Sequence, residues 1–157
     1  QGTALHTSLI HRLASSFQRL ACLHELNLSS TFEGAQSVMM FSACLPLMPS
    51  LEVLHLASNA LGDEGLILLC GTILACTGLR ELNVGSNGIG ASGAKMLASV
   101  LPRCHAMQRV YVQDNVVDLA SALELSQVIP YCSDLAVIDC SNNSLAVPQA
   151  IFYRSSE

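Results

Sequence analysis

Leu79-Arg80-Glu81-Leu82-Asn83-Val84-Gly85-Ser86-Asn87-Gly88-Ile89-Gly90, followed by Gly93, Leu97 and Leu101, is the stretch that decides how this chain folds. Leu82 and Val84 alternate with polar neighbours, the period of a short strand with one side buried, while Gly93, Leu97 and Leu101 recur every four residues along one face of a helix. The same layout lies 28 residues upstream, as Leu51-x-x-Leu54-x-Leu56-x-x-Asn59-x-Leu61 with Gly65, Leu69 and Ile73. It lies 28 residues downstream as Met107-x-x-Val110-x-Val112-x-x-Asn115-x-Val117 with Ser121, Leu125 and Ile129. Two further copies start at Leu23 and Leu135 in the same register. A constant step in this range is the mark of a solenoid: each unit makes one strand and one helix, and buries its apolar side only by stacking on its neighbours.

The pattern resembles the leucine-rich repeat, and within it the ribonuclease-inhibitor-like subclass, whose units run strand, Asn turn, then a full helix. That resemblance implies an α/β fold, a right-handed horseshoe segment with a parallel concave sheet and convex α-helices. It covers nearly all of residues 1–157, which are read as a single domain: a partial repeat at 1–22, repeats at 23–50, 51–78, 79–106 and 107–134, and an incomplete repeat at 135–157. The fold itself serves many functions, so function has to be argued from surfaces.

Composition narrows those functions. The net charge is −5 with seven Lys and Arg and no basic run. Nucleic-acid binding through counterion release needs a basic stripe, so DNA and RNA are not expected partners. Apolar residues make up 51% of the chain and charged residues 12%, about half the usual charged share, so part of the apolar excess is expected on a surface. The longest apolar run, Leu66 to Cys70, is too short to cross a bilayer even when joined to Ile73, and no membrane span or leader is expected. Asn27-Leu28-Ser29 and Asn142-Asn143-Ser144 match the glycosylation pattern but fall in strand and turn positions, and are read as chance matches.

The seven cysteines are odd in number and form no Cys-x-x-Cys pair. Cys76, Cys104 and Cys132 occupy one position in successive repeats, which makes it a packing slot where a thiol acts as a small hydrophobe. Reduced core cysteines point to the cytoplasm or another reducing compartment.

Three units depart from the pattern. Before Leu23, residues Leu9, Leu13, Phe17 and Leu20 share one helical face, so the chain opens halfway through a repeat, as a helix whose strand is lacking or as a cap. In the Leu23 unit Thr31 takes the Asn position, and Pro46 and Pro49 follow its helix of about Ala35 to Leu45. The Leu135 unit loses the pattern around Pro148, leaving Ile151, Phe152 and Tyr153 and an unfinished look.

Two surfaces are candidates for binding protein. On the concave side the outward strand positions carry their bulk at His55, Arg109, Tyr111, Gln113 and Asp114, with Asp139 in the column of His55 and Tyr111. Tyr and Arg are favoured where binding energy concentrates. On the convex side Met39, Met40, Ile67, Leu68 and Leu74, with Val38, Leu47 and Leu66, are expected on sides that the repeat's own core does not require. An exposed apolar patch of that kind marks a contact with another domain or subunit.

Catalysis is not expected. No phosphate loop or serine nucleophile motif is present, no metal-spaced histidines occur among His6, His11, His24, His55 and His105, and His55 and Asp139 sit three strands apart. No cofactor or metal is implied. The reading is a protein-interaction module, a segment or subunit of a larger intracellular protein or assembly. Two other readings follow from repeat type: a GTPase activator of the kind that acts on Ran, which relies on a long acidic region missing here, and the ligand-sensing repeats of a nucleotide-binding immune receptor. Ribonuclease inhibitor itself is disfavoured, because its units alternate in length and carry Cys at turns, whereas this step is constant.

Overall fold

A computed structural model describes residues 22–32, 34–145 and 150–154. The opening helix expected from Leu9 lies outside them. Five three-residue strands, β1 (Glu25–Asn27), β2 (Val53–His55), β3 (Glu81–Asn83), β4 (Arg109–Tyr111) and β5 (Val137–Asp139), form a parallel sheet in sequence order. Helices α1 (Ala35–Ser42), α2 (Gly62–Ile73), α3 (Ala91–Val100) and α4 (Leu119–Gln127) alternate with them. Partners across the sheet are related by the 28-residue step, so Leu26, Leu54, Leu82, Val110 and Ile138 lie in one row. The last four of that row are fully buried, and Leu26 partly. The α/β leucine-rich solenoid expected from the sequence is the fold observed, with one continuous core running through the stack.

Why each strand is only three residues long follows from its exit. Ser30, Ser58, Ser86, Asp114 and Asn142, again 28 apart, hold φ between 54° and 57°. A left-handed residue ends the extended run and turns the chain toward its helix, at a cost of about 1–2 kcal/mol for a residue with a Cβ. The neighbouring asparagines offset it. Asn59 Oδ1 accepts the backbone N–H groups of Thr31 (2.8 Å) and Phe32 (2.7 Å) in the preceding unit, and its Nδ2 donates to the carbonyls of Leu28 and Leu56. Asn87 and Asn115 do the same one and two units on, and Asn143 accepts from Val117. These bonds satisfy turn groups that would otherwise be buried without partners.

Prolines shape the return to the sheet. Pro46, Pro102 and Pro130 each sit inside a short 3₁₀ turn after α1, α3 and α4, where the missing N–H costs nothing. Helix α1 accordingly stops at Ser42, earlier than the Leu45 expected from spacing. Helix α2 has no proline after it and runs longest, 12 residues.

The far end differs from expectation. Ile151–Tyr153 form β6, which turns back and pairs antiparallel with β5 in the register Ile138 to Phe152. Arg154 donates from its guanidinium to the carbonyls of Cys132 (2.7 Å) and Ser133, fastening this strand to the preceding turn. The segment that looks unfinished in sequence is therefore an edge strand laid over the end of the parallel sheet.

Candidate functional site

The outward sheet positions sit on strands whose backbone is fixed on both sides, so their side chains start from a rigid floor. Three of them join into one charged cluster. Glu81 on β3 accepts from Arg109 Nε on β4 at 2.7 Å through Oε2, and lies 3.0 Å from His55 Nε2 on β2 through Oε1. The carboxylate is the least exposed of the three side chains, at 14% against 25% for His55 and 45% for Arg109. The hydrogen bond from Arg109 to Glu81, and then the charge of that carboxylate, raise the guanidinium pKa above its ordinary value. Glu81 thus holds two cation-capable side chains while their outer ends face solvent.

Of the six concave positions singled out in the sequence, His55 and Arg109 are brought together by Glu81, and Tyr111 follows one strand position beyond Arg109's neighbour Val110. Gln113 behaves differently. Its Nε2 and Cδ lie 2.7 and 2.9 Å from where a Cβ on Gly85 would stand, so the side chain folds down over the glycine of the preceding unit, leaving Oε1 buried without a hydrogen-bond partner. Asp114 belongs to the turn, with φ 56° and Oδ1 accepting from Asn142 Nδ2 at 3.0 Å. Asp139 Oδ1 accepts from the Ser141 backbone at 2.9 Å, closing its own strand end as Asn27 and Asn83 do on theirs. Sequence reasoning passed over Glu81. An acidic residue between a His strand and an Arg strand in adjacent columns was the available signal.

On the helix side the patch is narrower than expected. Met39 and Ile67 are exposed, at 46% and 36%, and Leu47 joins them. Met40 and Leu74 pack partly against the core, Leu68 is half-buried, and Val38 and Leu66 are fully buried core residues, contrary to the expectation that the core does not need them. Between α1 and α2 a groove of about 330 Å³ is lined by Gln36, Met39, Glu64 and Leu68, half polar. Val116, Leu119 and Leu123, just before and within the first turns of α4, are also exposed and went unread in the sequence; Leu123 stands in the 28-step column of Met39 and Ile67, which Lys95 interrupts.

The seven cysteines are free thiols. Burial, with a smaller contribution from a neighbouring thiol or, for Cys140, from Asp139, pushes Cys70 and Cys140 up to about 12 and Cys76 and Cys104 up to about 11. Protonated thiols are poor nucleophiles and poor ligands. Among the described residues no three His, Cys, Asp or Glu side chains gather where a metal ion would sit, and no helix is long and apolar enough to cross a membrane.

Known proteins agree with this architecture. The leucine-rich repeat family model matches residues 48–70 and 75–98. The structure of the leiomodin-1 actin-binding site 2 superposes with a TM-score of 0.69 at 14% identity, covering 93% of this chain and 82% of that one. The mouse RP105/MD-1 complex contains a chain that superposes with a TM-score of 0.54 at 21% identity over 80% of this chain, which spans 19% of that chain's length. No curated protein sequence matches the chain. At such identities the likeness carries the fold and not the partner.

Proposed function

We propose, from the premise that this chain is a leucine-rich-repeat solenoid, that it is a protein-binding module whose recognition surface is the outer face of the sheet around His55, Glu81, Arg109 and Tyr111. The observation that carries the reading is the shared carboxylate of Glu81. It fixes two long polar side chains on the strands flanking its own before any partner arrives, and side chains held in place in advance lose less entropy on binding. Tyr111 adds a rigid aromatic beside them.

The constant 28-residue step and helices of 8 to 12 residues favour the ribonuclease-inhibitor-like subclass, and the seven free thiols favour a reducing compartment. Binding rather than catalysis suits a histidine and an arginine both tied to one carboxylate. The exposed pair Met39 and Ile67 supports a second reading, in which the helix face docks on another domain or subunit of a larger assembly.

The two faces separate in one experiment. Partners captured from a cell lysate by the chain are compared with those captured by an Arg109→Ala, Tyr111→Ala form and by a Met39→Ser, Ile67→Ser form, each checked for native circular dichroism. Loss of one specific partner with the first form alone supports the sheet face. Loss with the second form alone overturns it in favour of the helix face.

A further inference from the structure

Asn87-Gly88 is the chain's single Asn-Gly pair, and it sits in the asparagine ladder that bonds the turns of the stack together. In a flexible chain this pair is where an asparagine amide is lost most easily, because a following glycine offers no Cβ to hinder attack. The Gly88 amide nitrogen gives its proton to base and attacks Asn87 Cγ. A C–N bond forms, ammonia leaves, and water then opens the five-membered imide at either carbonyl to give aspartate or isoaspartate.

The native turn opposes each part of that sequence. The Asn87 side chain is 2% exposed, with Oδ1 accepting from the Asn59 N–H at 2.8 Å, and Nδ2 within 3.0 Å of the carbonyls of Leu56, Val84 and Gly85. The peptide that must swing toward Cγ is also held, because its carbonyl, that of Asn87, accepts from the Gly62 N–H at 2.9 Å. Attacking nitrogen and target carbon are thereby each fixed by a different neighbouring group. The product is equally mismatched. A carboxylate at position 87 donates nothing, so the carbonyls of Leu56, Val84 and Gly85 each lose one of two donors, keeping those of Asn59 Nδ2, Asn115 Nδ2 and the Ser58 N–H, and a negative charge faces all three in a buried site.

We propose that Asn87 is a fold-gated deamidation site: closed in the native repeat, open in the unfolded chain, and once converted unable to rebuild the turn, so that the modification turns reversible unfolding into permanent loss. A reaction that requires opening is slowed by the opening equilibrium, here by roughly a hundredfold or more.

The test ages the full chain in mildly alkaline buffer, native and in denaturant, and maps the peptide holding residue 87 by mass; Asn142 and Asn143 fall in a different peptide. The expected result is conversion at residue 87 in denaturant, protection in the native sample, and loss of refolding in step with conversion. Gly88→Asn gives a slower-reacting chain that still folds, since Asn tolerates the left-handed φ of 69° and nothing lies within 4 Å of the added Cβ. Its refolding after the same ageing is expected to outlast that of the parent. Native conversion at a rate within about threefold of the denatured rate overturns the gate. A converted chain, or an Asn87→Asp chain, that regains the native circular dichroism and urea midpoint overturns the lock.

Discussion

The two sides of each strand obey different rules. On the inner side Leu54, Leu82, Val110 and Ile138 are chemically alike and fully buried, and the next residue but one inward, Leu56, Val84, Val112 and Cys140, is buried as well. On the outer side the adjacent column reads His55, Asn83, Tyr111 and Asp139, four different chemistries at one geometrical position. Stacking forces agreement where a side chain meets its own equivalent one strand away, ~4.8 Å along the stack, and imposes nothing where it meets water. Stability is therefore concentrated in the repeated columns, and any specificity has to be written in the varied ones.

The sharpest way to break that division is to remove a repeated polar residue from the inside. Asn115 Oδ1 accepts from Asn87 and Ile89, and its Nδ2 donates to the carbonyls of Val84, Val112 and Gln113. Asn115→Ala leaves the Asn87 and Ile89 N–H groups without an acceptor, while the three carbonyls keep donors from Asn87 Nδ2, Asn143 Nδ2 and the Ser86 N–H; the loss is roughly 2–5 kcal/mol before water compensates, a large share of the stability of a small domain. Urea unfolding followed by circular dichroism is expected to show a large drop in midpoint. A change below about 1 kcal/mol would show that water replaces the side chain and that the ladder does not tie the units together.

Next in size is the response of the dry interior to alkali. Burial first, then Cys104 and Asp139 respectively, raises the thiols of Cys70 and Cys140 from an ordinary 9.0 to about 12. With the folded value above the unfolded one, the contribution is complete below pH 9.0 and is lost as pH climbs toward 12. At about pH 10 each thiol removes roughly 1 kcal/mol. Urea midpoints at mildly alkaline and strongly alkaline pH should diverge, and a Cys70→Ala, Cys140→Ala form should flatten the decline relative to its own neutral value.

Much of the inner side was legible in the sequence. The 28-residue step gave the strand row, the asparagine ladder and the cysteine slot, because each of these repeats one residue type. What repeats in conformation but not in residue stayed hidden: Ser30, Ser58, Ser86, Asp114 and Asn142 share one left-handed φ through three residue types, none of them glycine. Contacts that cross between units without repeating were hidden for the same reason. Glu81 bridging His55 and Arg109 is one, and β6 closing the sheet after the pattern ends is another.

Asp63 is a third such contact, and it sharpens the comparison along the helix side. It stands in the first turn of its own helix α2, yet its Oδ1 accepts from Gly90 at 2.7 Å and Gly93 at 2.9 Å at the start of α3. One unit on, Asp118 caps its own helix α4 through Ser121 at 2.9 Å. The same task is done across units in one place and within a unit in the other. The gap explains Gly93, since a Cβ there would stand 2.7 Å from Asp63 Oδ1; the glycine makes room for the neighbouring carboxylate. Asp63→Ala is expected to cost about 1 kcal/mol, and Asp118→Ala to lower the urea midpoint too through the lost cap. Only the first should be coupled to Gly93→Ala, with the cost of the glycine change falling when Asp63 is already gone, as a double-mutant cycle would read.

The smallest effect is expected on the outer side, and its smallness is what matters. Glu81→Ala frees His55 and Arg109 but empties no core position, and ion pairs with partners this exposed contribute about 0–1 kcal/mol. Urea stability should therefore barely move, while Arg109, no longer held, should lose its elevated pKa and its fixed direction. If the sheet face is the recognition surface, Glu81→Ala weakens partner capture without weakening the fold, a separation that no inner-column change can produce. A stability loss above about 2 kcal/mol would place Glu81 with the inner columns instead. The cluster would then be a strut between strands, and the claim that the outer column is free to vary would fail at its central residue.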